Sequence, residues 1–291
     1  MRAVILKALS GSSPTREIRV EAGSDIRVGR SSPSDVTFPQ DHEMSSVHFG
    51  LRHDGENGWV SDLNSRNGTR VNGELIKNAI LWDGDSIVAG QTKFTATIER
   101  NVSVGALRDH EAASAPGALS GDLLEMLCTR FQPLYAVLDA ARDPQVLELI
   151  RGSHEDFQSL YEGERGEELA NFAPYLVRIP PHSPLLDALV REGWGKSWGV
   201  YLTCAQPLKE LRRHFRHFLM VQLPDGREVY FRYYDPRVLR AFLPSCTFDE
   251  GAELFGPIQH YLAEAEDPGT LLEFTKRSGK VETIALRLQI T

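Results

Sequence analysis

The sequence predicts a two-domain protein: an all-β sandwich over residues 1–99, a linker over 100–121, and an α/β domain over 122–291 with a mixed sheet and a C-terminal hairpin. Three observations predict this. The chain has 291 residues, more than one ordinary domain needs. Its first hundred residues run in short alternating segments broken by Gly, Asn, Asp and Pro, the pattern of an antiparallel sandwich. After about residue 121 the apolar periodicity switches back and forth between helix and strand, the pattern of α/β packing.

In chain order, VILKAL is interrupted by Lys7 and runs on to EIRV, so it reads as a first strand rather than a cleaved signal peptide. EIRVEAG, DVTFP, VHFGLRH, WVSDL, GTRVNG and KFTATIE follow as strand segments. DGENG joins two of them as a hairpin loop, with Gly and Asn supplying positive φ. Residues 100–121 are rich in Ala, Ser and Gly without an apolar period, as in a linker. Then GDLLEMLCTRF is predicted helical, LYAVLDA a strand, and DPQVLELIRG a helix with Pro144 in its first turn. YLVRIP, WGVYLTC and EVYFRYYD are predicted strands. SPLLDALVREGW, PLKELRRHFRHFL, PRVLRAFL and DEGAELFGPIQHYLAEA are predicted helices. LLEFTKRSGKVETIALRL closes the chain as a hairpin around Ser278 and Gly279.

Composition narrows the function. The net charge is −8, and residues 1–100 carry 12 Lys+Arg against 13 Asp+Glu, which leaves 20 against 27 for the remainder. An acidic chain of this kind is not a general nucleic-acid binder. No uncharged apolar run reaches the length of a membrane span, so no membrane insertion is expected. Three scattered cysteines (Cys128, Cys204 and Cys246) suit a reducing cytoplasm.

Three islands of the first domain belong together: Gly29-Arg30, Ser45-Ser46-Val47-His48, and Asn67-Gly68-Thr69 followed by Asn72-Gly73. A phosphate dianion is best met by a guanidinium fork, a hydroxyl and amide donors converging from loops. The pattern GR…SSVH…NSRNGT..NG resembles the forkhead-associated (FHA) family over roughly the first hundred residues. The resemblance implies a phosphothreonine-containing protein as partner. Arg30 and Ser45 would hold the phosphate, and Asn67 the peptide backbone. Gly29, His48, Gly68 and Asn72 would support the loops. Many FHA domains have a basic or amide residue where this chain has Ser46, and Arg66 is the candidate to replace that donor.

In the second domain, the islands PYLVRIPPHSPLLDALV, WGVYLTCAQPLKELRRHFRHFLMVQLPDG and EVYFRYYDPRVLRAFLP resemble the bacterial type VI secretion effector-adaptor (Tap or TEC chaperone) family over about 134–265. That resemblance implies a non-enzymatic chaperone that loads an effector onto the VgrG spike protein. Alternation over 230–235 would place Tyr230, Arg232 and Tyr234 on one face and Phe231, Tyr233 and Asp235 on the other. Asp235-Pro236-Arg237 reads as a helix cap and first turn. LKELRRHFRHFLMV carries an apolar stripe of Leu208, Leu211, Phe215, Phe218 and Leu219. Its Arg212, Arg213 and Arg216, with Arg232 and Arg237, form a candidate partner surface, or else a solvated face. Glu162, Glu164, Glu167 and Glu168 read as a solvated loop.

Catalytic patterns do not emerge. There is no G-x-S-x-G elbow, P-loop, G-x-G-x-x-G or H-E-x-x-H. Cys204 and His182 are far apart in sequence. His214 and His217 supply two ligands at most, so neither a metal nor a cofactor is expected. A phosphothreonine-dependent signalling scaffold unrelated to secretion is the rival reading.

Overall fold

The computed structural model describes residues 3–9, 16–55, 57–99, 116–222, 228–277 and 279–289. Two compact units emerge: Met1–Asp109 with Met220–Tyr230, and His110–Leu219 with Phe231–Thr291.

The first unit is built from β1 (Ala3–Ala8), β2 (Glu17–Glu21), β3 (Asp25–Gly29), β4 (Val36–Thr37), β5 (Phe49–His53), β6 (Gly58–Asp62), β7 (Thr69–Val71), β8 (Glu74–Ile76), β9 (Asn78–Leu81), β10 (Ser86–Ala89) and β11 (Thr92–Glu99). They form one sheet in the order β2-β1-β11-β10-β7-β8 and another in the order β4-β3-β5-β6-β9. The single parallel pairing recorded is β3 with β4, so the five-stranded sheet is mixed. Alternate side chains of both sheets face inward and bury Leu6, Val28, Phe49, Leu51 and Phe94, and Met44 from the loop before β5 packs among them. Phe94 meets Phe49 edge-to-face at 5.6 Å and Phe38 at 5.2 Å. In the DGENG loop Gly55 takes the positive φ (102°). The Asn57 N–H donates to the Asp54 carboxylate at 2.7 Å, which ties the turn.

The second unit opens with α1 (Pro116–Thr129), whose first residues fall inside the expected linker. Residues 100–115 of that linker lie outside the described residues. Next come β12 (Leu134–Asp139), α2 (Pro144–Gly152), β13 (Phe157–Ser159), α3 (Gly163–Glu168), β14 (Pro174–Ile179), α4 (Pro184–Ala188, continued by a π-helical turn over Leu189–Gly193), β15 (Gly199–Thr203) and α5 (Leu208–Arg216). The hairpin β16 (Met220–Gln222) and β17 (Glu228–Tyr230) follows. It groups with the first unit, where Tyr230 packs on the sandwich core. The chain then returns through α6 (Pro236–Phe242), α7 (Phe248–Phe255), β18 (His260–Glu264), β19 (Thr270–Arg277) and β20 (Lys280–Arg287).

Seven of these strands form one sheet in the order β13-β14-β12-β15-β18-β19-β20, and each of its pairings is antiparallel. The helix–strand alternation that suggests a mixed sheet here gives an antiparallel one, because each connection returns the chain in the opposite direction. Helices cover both faces. Leu134, Ala136 and Leu138 of β12 join α1, α2 and α4 in one core. Tyr135 and Val137 join α5, α6 and α7 in the other. A strand buried on both faces must be apolar throughout, as LYAVL is.

Three local expectations change. The strand expected over EVYFRYYD ends at Tyr230, and 231–235 form a turn into α6. Tyr233 and Tyr234 are therefore both buried instead of alternating. The helix expected to run from 249 through 265 stops at Phe255, and His260–Glu264 is a strand between β15 and β19. Gly163–Glu168, expected as a loop, is a short helix in which the side chains of Glu164 and Glu168 lie outside the described residues.

Candidate functional site

Loops at one end of the sandwich bring the first set of residues together. Arg30 follows β3, and its N–H donates to the Ser45 carbonyl at 2.8 Å. Gly29, just before it, passes so close to the loop carrying Ser46 that a Cβ would collide with the Ser46 carbonyl and sit 2.5 Å from the Ser34 hydroxyl. That hydroxyl donates to the same carbonyl at 2.8 Å. The Arg66 N–H donates to Ser45 Oγ at 2.9 Å, and Asn67 Nδ2 donates to the Glu43 carbonyl at 3.0 Å. Arg30, Ser45, Arg66 and Asn67 thus share one hydrogen-bonded cluster. Ser46, Arg66 and Asn67 are exposed there.

His48 is fully buried beneath these loops. Its Nδ1 accepts the Ser45 N–H at 2.9 Å, so the other ring nitrogen carries the proton and donates to the Gly68 carbonyl at 3.2 Å. One imidazole spans both loops. Gly68 has φ of 73°, and Leu75 occupies the space its Cβ would need. Asn72 and Gly73, with φ of 50° and 84°, make a two-residue turn between β7 and β8. The Asn72 side chain locks it, donating to Asp85 at 3.0 Å and accepting from the Ser86 N–H at 2.9 Å.

The chemistry follows from the donor count. The Ser45 hydroxyl already accepts from Arg66, so its own hydrogen is left to donate. Among the described residues the Arg30 guanidinium has no hydrogen-bond or ion-pair partner. A guanidinium, a hydroxyl hydrogen and an exposed amide beside one another suit an anionic ligand.

Two regions of the chain match known families. Residues 26–90 match the FHA domain family, and residues 134–253 match a family described as a domain of unknown function, DUF4123. The chain joins an FHA domain to a DUF4123 domain. FHA domains are phosphothreonine-binding modules. One curated relative is the FHA domain-containing protein FhaA of Mycobacterium tuberculosis, 36% identical over 91 residues. The match covers 31% of this chain and 16% of that protein's length. Among solved structures, the FhaA FHA domain complexed with the intracellular domain of Rv3910 is 32% identical, covering 32% of this chain and 98% of that one, with a TM-score of 0.29. The FHA domain of an Arabidopsis thaliana hypothetical protein is 28% identical, covering 36% and 92%, with a TM-score of 0.32.

In the DUF4123 domain the five arginines expected on a partner surface divide. Arg232 and Arg237 are buried, because the turn at 231–235 carries them inward to two buried carboxylates. Arg232 donates to Asp139 at 2.8 Å and lies 3.4 Å from Asp235. Arg237 Nε donates to Asp235 at 2.9 Å, and that carboxylate also caps α6 through the Arg237 N–H at 3.0 Å. Burial alone raises the Asp235 carboxyl, but Arg237, Arg232 and Arg142 outweigh it and hold the group at about 2. Burial dominates at Asp139 and raises its carboxyl against the pull of Arg232. Arg212, Arg213 and Arg216 remain at the surface on α5. Arg212 and Arg216 both pair with Glu162, and Arg213 pairs with Glu210.

Cys204 is buried, its thiol is raised by burial, and its Sγ donates to the Pro257 carbonyl at 3.3 Å. His214 is lowered by burial, and its Nε2 lies 2.9 Å from the Leu254 carbonyl. No helix among the described residues is long and apolar enough to cross a membrane.

Sequence reasoning missed two organisers of the FHA loops. Asp41 is buried. Its Oδ1 accepts the N–H groups of Glu43 and Met44, and its Oδ2 those of Gln91 and Thr92 and the Thr92 hydroxyl. Nothing in FPQDHEM marks a residue whose partners lie fifty positions away. Asp62 accepts from the Ser65 N–H, the Ser65 hydroxyl and the Thr69 hydroxyl. Its Asp-x-x-Ser spacing is a local turn signature that would have found it.

Proposed function

We propose that the FHA domain binds a phosphothreonine-containing protein through Arg30, Ser45, Ser46, Arg66 and Asn67. The DUF4123 domain would act without catalysis as a cytoplasmic type VI adaptor that holds an effector and the VgrG spike. The observation that carries the first half is the Ser45 hydroxyl, already an acceptor for Arg66, on a loop tied to Arg30, whose guanidinium has no partner among the described residues. Gly29, His48, Gly68 and Asn72 act as supports. The second half rests on the match to DUF4123 and on the islands quoted above. The FHA domain then tethers loaded cargo to a phosphorylated component.

Binding of a phosphothreonine peptide library to the full chain tests the site. Arg30→Ala should abolish binding, and Ser45→Ala should weaken it less, since a neutral donor to an anion contributes less than a charged fork. Equal binding by wild type and Arg30→Ala would sink the assignment. Co-purification from secreting cells with a VgrG protein and a toxin tests the adaptor role, and recovery of neither overturns it.

A further inference from the structure

Helix α5 buries Leu211 and Phe215 completely. On its outer side Lys209, Arg213 and His217 are exposed at intervals of four residues, with Arg212 and Arg216 partly exposed beside them. Residues four apart on a helix stack along one face. Two open depressions flank the helix and share Glu210, Arg213 and His217. One, of about 420 Å³, is lined by Glu162, Lys209, Arg212 and Arg216; the other, of about 530 Å³, ends on Phe218 and Pro257. Four permanent cations face two carboxylates here, an excess of two positive charges in a region (residues 101–291) where 20 basic residues meet 27 acidic ones. Glu162 alone serves both Arg212 and Arg216, and Arg216 Nε is buried with no hydrogen-bond partner.

We propose that this face of α5 docks an acidic, extended segment of a partner protein, with carboxylates on alternate residues and an apolar residue at the Phe218 end. The register supports it. Cations four residues apart along a helix are separated by about 6 Å of rise, and alternate side chains of a strand by about 6.6 Å. Glu162 and Glu210 disfavour a nucleic acid, whose dense phosphates would sit against both. The inference is independent of the phosphothreonine site, so either can fail alone.

The test uses the full chain and a fluorescein-labelled, unphosphorylated peptide of about twelve residues alternating Glu and Ser, read by anisotropy at low salt. Binding is expected, and the double variant Lys209→Glu/Arg213→Glu should weaken it at least about tenfold. Arg30→Ala should leave it unchanged. Both altered side chains are exposed, so the urea midpoint of the double variant should match wild type. If it does not, Arg213→Gln alone should still weaken binding. Absence of binding, equal binding by the charge-reversed protein, loss in Arg30→Ala, or tighter binding of a duplex oligonucleotide of equal charge would each overturn the proposal.

Discussion

Asp41 offers the sharpest test of how the FHA loops are held. Asp41→Ala removes one carboxylate that accepts from four backbone N–H groups and a hydroxyl. Glu43 and Gln91 are exposed, so their N–H groups regain water at little cost. Met44 and Thr92 are buried, at 1% and 6% exposure; the Met44 N–H keeps the backbone carbonyl of residue 41 at 3.2 Å, so the Thr92 N–H and hydroxyl carry the loss. An unsatisfied buried donor costs about 1–3 kcal/mol, which sets the loss at Thr92. At about 1.4 kcal/mol per decade, the Thr92 amide should exchange roughly 5- to 150-fold faster. Hydrogen exchange with mass spectrometry or NMR reads this in the intact protein, and peptides from the DUF4123 domain serve as the internal control. Phosphothreonine-peptide binding should fall as well, since Ser45 follows Met44 directly. Unchanged exchange at the Thr92 amide would refute the account.

Gly29→Ala should destabilise the FHA domain by about 1–3 kcal/mol, because a Cβ meets the Ser46 carbonyl; urea unfolding measures this, and an unchanged midpoint would contradict it. Arg232→Met removes the counter-charge of buried Asp139 at 2.8 Å and should cost the DUF4123 domain about 3–5 kcal/mol, measurable by urea unfolding followed at Trp198. Asp235 is held at about 2, below the ordinary aspartate value of 3.8, so its folded value is the lower one. It therefore contributes about 2 kcal/mol of stability that is fully present above pH 4 and is lost as pH falls through about 2. A carbon-13 titration of its carboxyl should show no midpoint near 4; finding one there would remove the Arg237 pairing as the cause.

What the sequence made legible was local. The N-cap at Asp235 with Pro236 behind it, the Asn72-Gly73 turn and the apolar stripe of α5 follow from residues within one turn of each other. The loops of the candidate site were legible because three spaced motifs together carry more information than any one. What escaped depends on distant partners. GPIQHYLAEA has helical propensity in its Ala and Glu residues, yet β15 and β19 flank it and recruit His260–Glu264 as a strand. FRYYD alternates like a strand, but Asp139, nearly a hundred residues earlier, draws Arg232 inward and bends the chain. The basic run of α5 was visible, whereas Glu162, which neutralises part of it, could be assigned only once α3 and α5 were seen together.

The division of β12 between two cores has a consequence for how the DUF4123 domain can change in length. Leu134, Ala136 and Leu138 serve one core, Tyr135 and Val137 the other. A single inserted or deleted residue within this strand would exchange the two sets, sending the Tyr135 ring into a space shaped for aliphatic groups. Such a change faults both cores at once, so no repacking of one face can repair it. Length variation should therefore be confined to segments between strands, such as 265–269 between β18 and β19, and scanning single-residue insertions for soluble expression would map that boundary residue by residue.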